Sequence, residues 1–600
     1  MNTFIKYLCG SALLLGLWSC ATDEPTTAET PKFEENQAMM TINILGPTGL
    51  TRAGIDESDS DDYEDGTVNE NTVGTVSYYF YDAAGEFATA VENVSPSPTF
   101  SDTGDDNFLV EKIGQSKIVL TGLTGKDYPS YMLAILNGGA SVDLKNKSME
   151  DAIERLRTSE PWVNNNGSYS NFVMTSATHD GNPANAHYVA TALNESHFAE
   201  MKGEYKPGDD FPTVNPDGSA INAIPVELYV ERLAAKVNLR FGSNFEKKGD
   251  YYELTLPEEY NINSNMQKLK IRLLGWDLNG TAKKTRYFKR VNESTPFITD
   301  DGWDYSGTNR CYWAMTPNYG NTEYPSSFGD VENKYTGNNL DASAGIDAKD
   351  EELNYISWQT VKNSKFTQTT KYVRPHTDRK NKIVAGGALL HGGVTEALIA
   401  AQIVDEDGNP LTLYQLGLQF FTADKIVGHV LHSIADLNIW KKTSATATSQ
   451  IEEKDLEVSF GFDGTFVLKL TADAAKTEWF KDSKCTEKWE SAGSYKAITD
   501  YINSHLPSNQ TYGYNDGMMY YNIPIRHLRG FGANNAIQTG TYGIVRNHSY
   551  NVTITDIKNL GHSVYRPNED IIPPSDATRF MIGSSIKILS WRLVNQEVEL

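Results

Sequence analysis

Six hundred residues exceed one ordinary domain, so two or more are expected at roughly 100–200 residues each. With 53 basic against 78 acidic residues the net charge is −25, which counts against nucleic acid or an anionic membrane surface as partner, because both reward Lys and Arg. A hydrophobic content of 39% with 11% aromatic is enough for packed cores and excludes wholesale disorder, while only 4 Cys exclude a disulfide-stapled scaffold or a Cys-rich zinc module. Cys9 and Cys20 lie in the leader; whether Cys311 and Cys485 pair is left open by the sequence.

The leader carries Lys6, then an apolar run over residues 8–17 that closes at Ser19-Cys20. The run is too short to span a bilayer and reads as a signal peptide. Leu17-Trp18-Ser19-Cys20 resembles a lipoprotein box, with Cys20 lipidated as the new N-terminus; ordinary cleavage near Ser19 is the other reading. Residues 21–35 are polar and tether-like, which favours lipidation, and no later stretch is apolar enough to span.

Residues 39–45 predict a first strand, with Met40, Ile42 and Ile44 alternating with Thr41 and Asn43. The acidic run 56–66 lacks the ligand spacing of an EF-hand and reads as a solvated loop. Val76, Tyr78 and Phe80 alternate before a turn at residues 82–85, and residues 117–120 and 131–136 predict further strands. Residues 148–156 predict a short helix capped by Ser148, and 171–175 form a short apolar run. Over residues 224–241 the apolar parity shifts near Arg232, which predicts a bulge or a crossing between two sheets; the domain junction is placed there. Strands are expected at 268–274 and 398–404, with a hairpin turn at 405–410 leading into 411–416, and again within 450–470, 518–525 and 549–557. With no regular βαβ alternation, an all-β protein with a few short helices is expected, built from β-sandwiches.

Catalytic signatures are not evident: HExxH, GxSxG, a Walker loop and GxGxxG are all missing, and Gly530 and Gly532 lack a third Gly. His429, His432 and Asp436 stand at helical spacing suited to zinc, but a third nitrogen ligand is not evident and the polar face of a short helix is preferred. No catalytic residue, metal or cofactor is therefore expected, and the chain is not read as an enzyme.

The last residues are unusually apolar. Ile586 and Ile588 alternate with Lys587; Leu589, Trp591 and Leu593 share one parity, and Val594, Val598 and Leu600 the other. Each such side chain gains about 1.5–3 kcal/mol on burial, so the segment must pair with a sheet, its own or a neighbour's.

Five features in order resemble the fimbrillins of the Bacteroidetes, most closely the major shaft subunit of the short fimbria. They are the leader ending in Cys20, a first strand before Thr51-Arg52-Ala53-Gly54, and the mid-chain Val230-Glu231-Arg232-Leu233-Ala234-Ala235-Lys236-Val237. The others are Val545-Arg546-Asn547-His548-Ser549-Tyr550-Asn551-Val552 followed by residues 557–561, and the ending from Trp591 to Leu600. The long loops between Tyr251 and Asp378 match no part of that pattern.

The resemblance implies two transthyretin-like β-sandwich domains in tandem: signal peptide 1–20, propeptide 21–52, N-terminal domain 53–235 and C-terminal domain 236–600. It implies an outer-membrane lipoprotein, bearing palmitate at Cys20, that an arginine-specific, trypsin-like surface protease cuts between Arg52 and Ala53. Arg52 is the only Lys or Arg between Lys32 and Lys112. The first strand, with Met40, Ile42 and Ile44, is then lost, and the groove takes a donor strand from another copy: Ile586, Ile588, Leu589, Trp591, Leu593, Val594, Val598 and Leu600. Implied partners are copies of the chain in a head-to-tail filament, accessory tip and anchor subunits, and an adhesion ligand the sequence does not identify. A monomeric surface lipoprotein that binds a glycan or host protein is the competing reading.

Overall fold

The structure is a computed structural model; it describes residues 31–46, 67–97, 111–138, 142–177, 189–206, 209–289, 335–336, 339–340, 353–377, 395–460, 464–489, 494–506, 511–527, 543–571 and 592–599. The chain is all-β with a few short helices, as expected.

The N-terminal lobe contains β1 (Gln37–Gly46), α1 (Val68–Asn71), β2 (Val76–Tyr81), β3 (Phe87–Val94), β4 (Glu111–Thr121) and β5 (Tyr131–Leu136). These are followed by α2 (Met149–Arg155), the hairpin β6 (Val163–Asn165) and β7 (Ser168–Ser170), β8 (Met174–Ser176), β9 (Ala199–Met201) and β10 (Val226–Arg232). Strand β4 lies along one edge of β1, and β9 and β10 share the other; the sheet continues from β10 through β8, β5 and β2 to β3. Past β3, Ser97 exchanges both backbone hydrogen bonds with Gln115 of β4 (2.9 and 3.0 Å), so the sheet folds back on itself around an apolar core. The alternating residues of β2, Tyr78 and Phe80, enter that core beside Met132, Ala134 and Leu136 of β5. Ser148 caps α2 as predicted, its Oγ accepting from the Asp151 N–H at 3.2 Å.

The run 224–241 crosses between sheets. It leaves β10 at Arg232 and resumes as β11 (Ala235–Phe241), which pairs with strands of the C-terminal lobe. That lobe adds β12 (Tyr251–Ile262), β13 (Asn265–Asn279), α3 (Trp358–Ser364), β14 (Thr370–Val373), β15 (Glu396–Val404), β16 (Leu413–Leu416) and β17 (Gln419–Phe421). Next come α4 (Ala423–Ser433), the hairpin β18 (Leu456–Phe460) and β19 (Phe466–Leu470), α5 (Ser494–Asn503), β20 (Thr511–Tyr514), β21 (Met518–Pro524), β22 (His548–Asp556), β23 (His562–Ser563) and β24 (Arg592–Glu599). One sheet runs β14-β11-β22-β24 and the other β20-β16-β17-β12-β13-β15-β21-β23. They face each other across Val237, Leu239, Val552 and Ile554 on one side and Ile271, Leu273, Ile399, Ile403 and Tyr521 on the other. This is a sandwich in which each inward side chain removes apolar surface from water at about 25 cal/mol per Å².

Three expectations are corrected. The stretch from Tyr251, read as loop up to the strand expected at 268–274, opens with β12, which forms with β13 a long antiparallel hairpin at the centre of the larger sheet. Pro257 and the bulge between Thr255 and Glu259 interrupt its alternation, which is why the pattern hid a strand. The turn at 405–410 folds back only as far as Leu411, whose N–H reaches the Ile403 carbonyl; β16 then departs to pair with β17 and β20. Residues 421–506 do not continue the sandwich: α4, α5 and the β18–β19 hairpin enclose a core of their own around Ile426, Val430, Phe466, Leu468 and Ile498.

Candidate assembly site

Strand β1 occupies a slot with partners on both edges. It runs antiparallel to β4 over its whole length, from Gln37↔Thr121 to Gly46↔Glu111, with one register shift after Ile44. On the other edge Ile42–Leu45 lie parallel to β10, and Gln37–Met39 antiparallel to β9. Period-two alternation points Ala38, Met40, Ile42 and Ile44 into the lobe core, where each is fully buried among Tyr78, Phe80, Ile118, Leu120, Leu228 and Val230. Below the strand the Tyr78 hydroxyl donates to Ser116 Oγ at 2.7 Å, tying β2 to β4 independently of β1. At the strand's edge Gln115 Nε2 donates to Asn43 Oδ1 at 2.8 Å.

The segment before β1 was expected to be a polar tether throughout. Phe33 departs from that: it is buried, its ring 3.9 Å from that of Tyr128 and 5.5 Å from that of Phe198. Its backbone is held as well, its N–H donating to the Lys126 carbonyl at 2.9 Å. A single aromatic between Lys32 and Glu34 was the only sequence signal, and without periodicity it carries no secondary-structure meaning.

At the other end of the chain, β24 lies parallel to β22, with Tyr550↔Val594 and Val552↔Gln596 in register. Among the described residues it is the last strand of its sheet and pairs along one edge. The structure therefore places Leu593, Val594 and Val598 in a strand docked on its own domain. Ile586, Ile588, Leu589, Trp591 and Leu600 lie outside the described residues, as do Cys20, Arg52 and Ala53. His429 and His432 sit on α4, where the ring of His429 meets that of Phe421 and His432 Nδ1 lies 2.6 Å from the Gly428 carbonyl. Among the described residues no group of three or more His, Cys, Asp or Glu is placed to hold a metal ion.

Residues 512–597 match the family described as major fimbrial subunit protein type IV, fimbrillin, C-terminal. Its C-terminal region is that of a fimbrillin. The match runs from β20 to β24 and includes the 545–552 motif, so the family resemblance read from the sequence holds. The chain is also similar in structure to a fimbrilin from Porphyromonas gingivalis W83 (14% identity, 94% of this chain and 98% of that one, TM-score 0.30). A fimbrial assembly protein from Parabacteroides distasonis ATCC 8503 gives 10% identity, 74% and 100% coverage and a TM-score of 0.24. At such scores the fold rests on the chain's own sheets. A search of curated proteins finds no match.

The two ordered motifs of the chain, 230–237 and 545–552, meet between the lobes in a buried charged cluster. Arg232 donates through Nε to the Glu70 carbonyl at 2.9 Å, through Nη1 to Asn547 Oδ1 at 3.1 Å, and through Nη2 to Asn71 Oδ1. Lys236 Nζ reaches Glu70 Oε1 at 3.1 Å, and the Tyr372 hydroxyl donates to the same oxygen. Beside them Lys289 pairs with Glu231 at 2.8 Å, and Arg546 donates to the Tyr287 and Arg286 carbonyls at 2.9 and 2.6 Å. Glu70 is presented by α1, a single turn closed by a capping box with Thr67. Glu70, Asn71, Lys289 and Tyr372 escaped the sequence reading. The visible clue was charge inside a buried strand pattern, at Glu231, Arg232 and Lys236.

Burial alone would raise the Glu70 carboxyl, but Lys236, the Tyr372 hydroxyl, the Thr67 N–H and Arg232 outweigh it and hold it below the ordinary value of 4.5. A lowered carboxylate contributes stability that is complete above its unfolded value and is lost as pH falls through the folded one. Glu70→Gln should therefore cost about 3–5 kcal/mol near neutral pH by leaving buried cations without their carboxylate. Urea denaturation at pH 7 and pH 4 checks this: the gap between the two chains should narrow in acid, and an unchanged midpoint at pH 7 would refute it.

Proposed function

We propose that the chain is a subunit of cell-surface fimbriae, a reading supported by the fimbrillin match over residues 512–597. More specifically, it is a shaft subunit that polymerises by strand exchange. In this reading it is exported as a lipoprotein anchored through Cys20, and an arginine-specific surface protease cuts between Arg52 and Ala53. The cut separates the lipid-bearing segment from Cys20 to Arg52, with Phe33 and β1, from the rest of the subunit. The released strand leaves two backbone edges, on β4 and β10, above an apolar floor, and an open edge of that kind is a template for pairing. Residues 586–600 of another copy fill it. The 53–235 and 236–600 segments are the two domains of the repeating unit.

The observation that carries this reading is the contrast between the two strands. Among the described residues, strand β1 is flanked on both edges and buries four side chains, whereas β24 is held on one edge. Leu589, Trp591 and Leu593 repeat the alternate spacing of Met40, Ile42 and Ile44. Because the donor and acceptor surfaces differ, the contact is head-to-tail and does not close, which yields a filament with accessory tip and anchor subunits at its ends. N-terminal sequencing of the subunit in isolated surface filaments tests it: the expected start is Ala53, and a start at or before Gln37 would overturn strand removal.

A further inference from the structure

A cleft of about 450 Å³ opens where the β6–β7 hairpin of the N-terminal lobe meets β13, α3 and β14 of the other lobe. The hairpin turns at Asn166 and Gly167, both with positive φ (52° and 87°), and the Gly167 N–H donates to Asn164 Oδ1 at 2.8 Å. Gln368 Nε2 donates to the Gly167 carbonyl at 2.9 Å, and a Cβ at position 167 would stand 1.8 Å from that nitrogen. The Trp276 indole in turn donates to the Gln368 carbonyl at 2.7 Å. The two lobes therefore hold the cleft's rim together through a specific fit.

The lining has a definite chemistry. Trp162, Tyr169 and Tyr372 form an aromatic wall, with ring centroids 6.4 Å apart for the first pair and 4.7 Å for the second. Asn164, Asn166 and Gln368 contribute planar amides. The charges are spent internally: Lys371 pairs with Asp277 at 3.0 Å, and Asp277 also accepts from Ser364 Oγ at 2.7 Å. Arg374 donates to the Ser159 and Ala282 carbonyls and lays its guanidinium 5.4 Å from the Trp162 ring centroid. An anionic ligand would need an uncompensated cation, and an apolar one would strip water from amides and hydroxyls without replacing it. A sugar meets both demands, because its C–H face packs on aromatic rings while vicinal hydroxyls donate to and accept from amides.

We propose that this inter-lobe cleft binds a neutral glycan unit. Its lining comes from neither β1 nor β24, so the proposal stands apart from strand exchange. The test uses the purified full chain against lactose, N-acetyllactosamine, maltotriose, mannobiose and 3′-sialyllactose, read by tryptophan fluorescence and by saturation-transfer NMR. Saturable binding of at least one neutral sugar is expected. Trp162→Ala should weaken it about tenfold or more, equivalent to ~1.4 kcal/mol. Asn166→Gly removes one amide, keeps a turn that needs positive φ, and should weaken binding severalfold with the thermal midpoint unchanged. If Trp162→Ala fails to fold, Asn166→Gly decides. Binding of sialyllactose alone, binding indifferent to Asn166→Gly, or no binding by any neutral sugar overturns the proposal.

Discussion

Deletion of residues 589–600 is expected to abolish filaments while leaving a folded, exported and cleaved subunit. Strand β24 pairs along one edge of a sheet whose other strands, β14, β11 and β22, remain hydrogen-bonded to one another without it. The truncation therefore turns β22 into the new edge and leaves the two sheets facing each other. The same deletion removes Leu589, Trp591 and Leu593, the proposed counterparts of Met40, Ile42 and Ile44 in a neighbour's groove. The measurement is electron microscopy of the cell surface beside limited proteolysis of the soluble product. A protease-resistant monomer is the expected result. An unfolded or degraded product would show that the docked strand is indispensable to its own domain and would sink the donor assignment. Trp591→Asp is the milder variant, placing a charge where an apolar groove must accept a side chain.

Arg52→Ala should be equally absolute in the opposite half of the mechanism. Ala38, Met40, Ile42 and Ile44 bury four side chains worth about 1.5–3 kcal/mol each, in addition to the ladders on both edges. In the proposed mechanism a strand held that firmly leaves only after the covalent link to it is cut, and its slot is then refilled. Residues 33–111 hold no other Lys or Arg for a trypsin-like enzyme. The variant is expected to accumulate as a folded, lipidated monomer with β1 in place, read by native gel and by N-terminal sequencing. Abundant filaments from it would show that strand removal is unnecessary or occurs elsewhere.

Much of the fold was legible where alternation is clean. Strands β1 and β2 and the crossing at Arg232 follow from period-two patterning and its shift of parity, because a one-residue slip exchanges the two faces of a strand. What escaped has a physical reason in each case. Pro257 and a bulge broke the pattern of β12. The core of residues 421–506 is built from two helices and a hairpin, which no single period describes. The Asp405–Pro410 turn looked like a hairpin because turn chemistry is local, whereas the departure of β16 to β17 and β20 is set by distant partners. The cleft beside Trp162 draws on residues from 162 to 374, a juxtaposition created only by the docking of one lobe on the other.

The charged cluster between the lobes also governs how the molecule answers load. Apolar surfaces slide past one another at little cost, but Arg232 and Lys236 meet partners fixed in position by α1 and by the 545–552 segment, and Lys289 meets Glu231 of β10. Parting the lobes would strand those cations in a medium too poorly polarisable to screen them, so shear is resisted from the first fraction of an ångström. Under tension at neutral pH the two lobes are expected to move as one stiff link. Acid that protonates Glu70 removes the central rivet, and the link acquires a hinge.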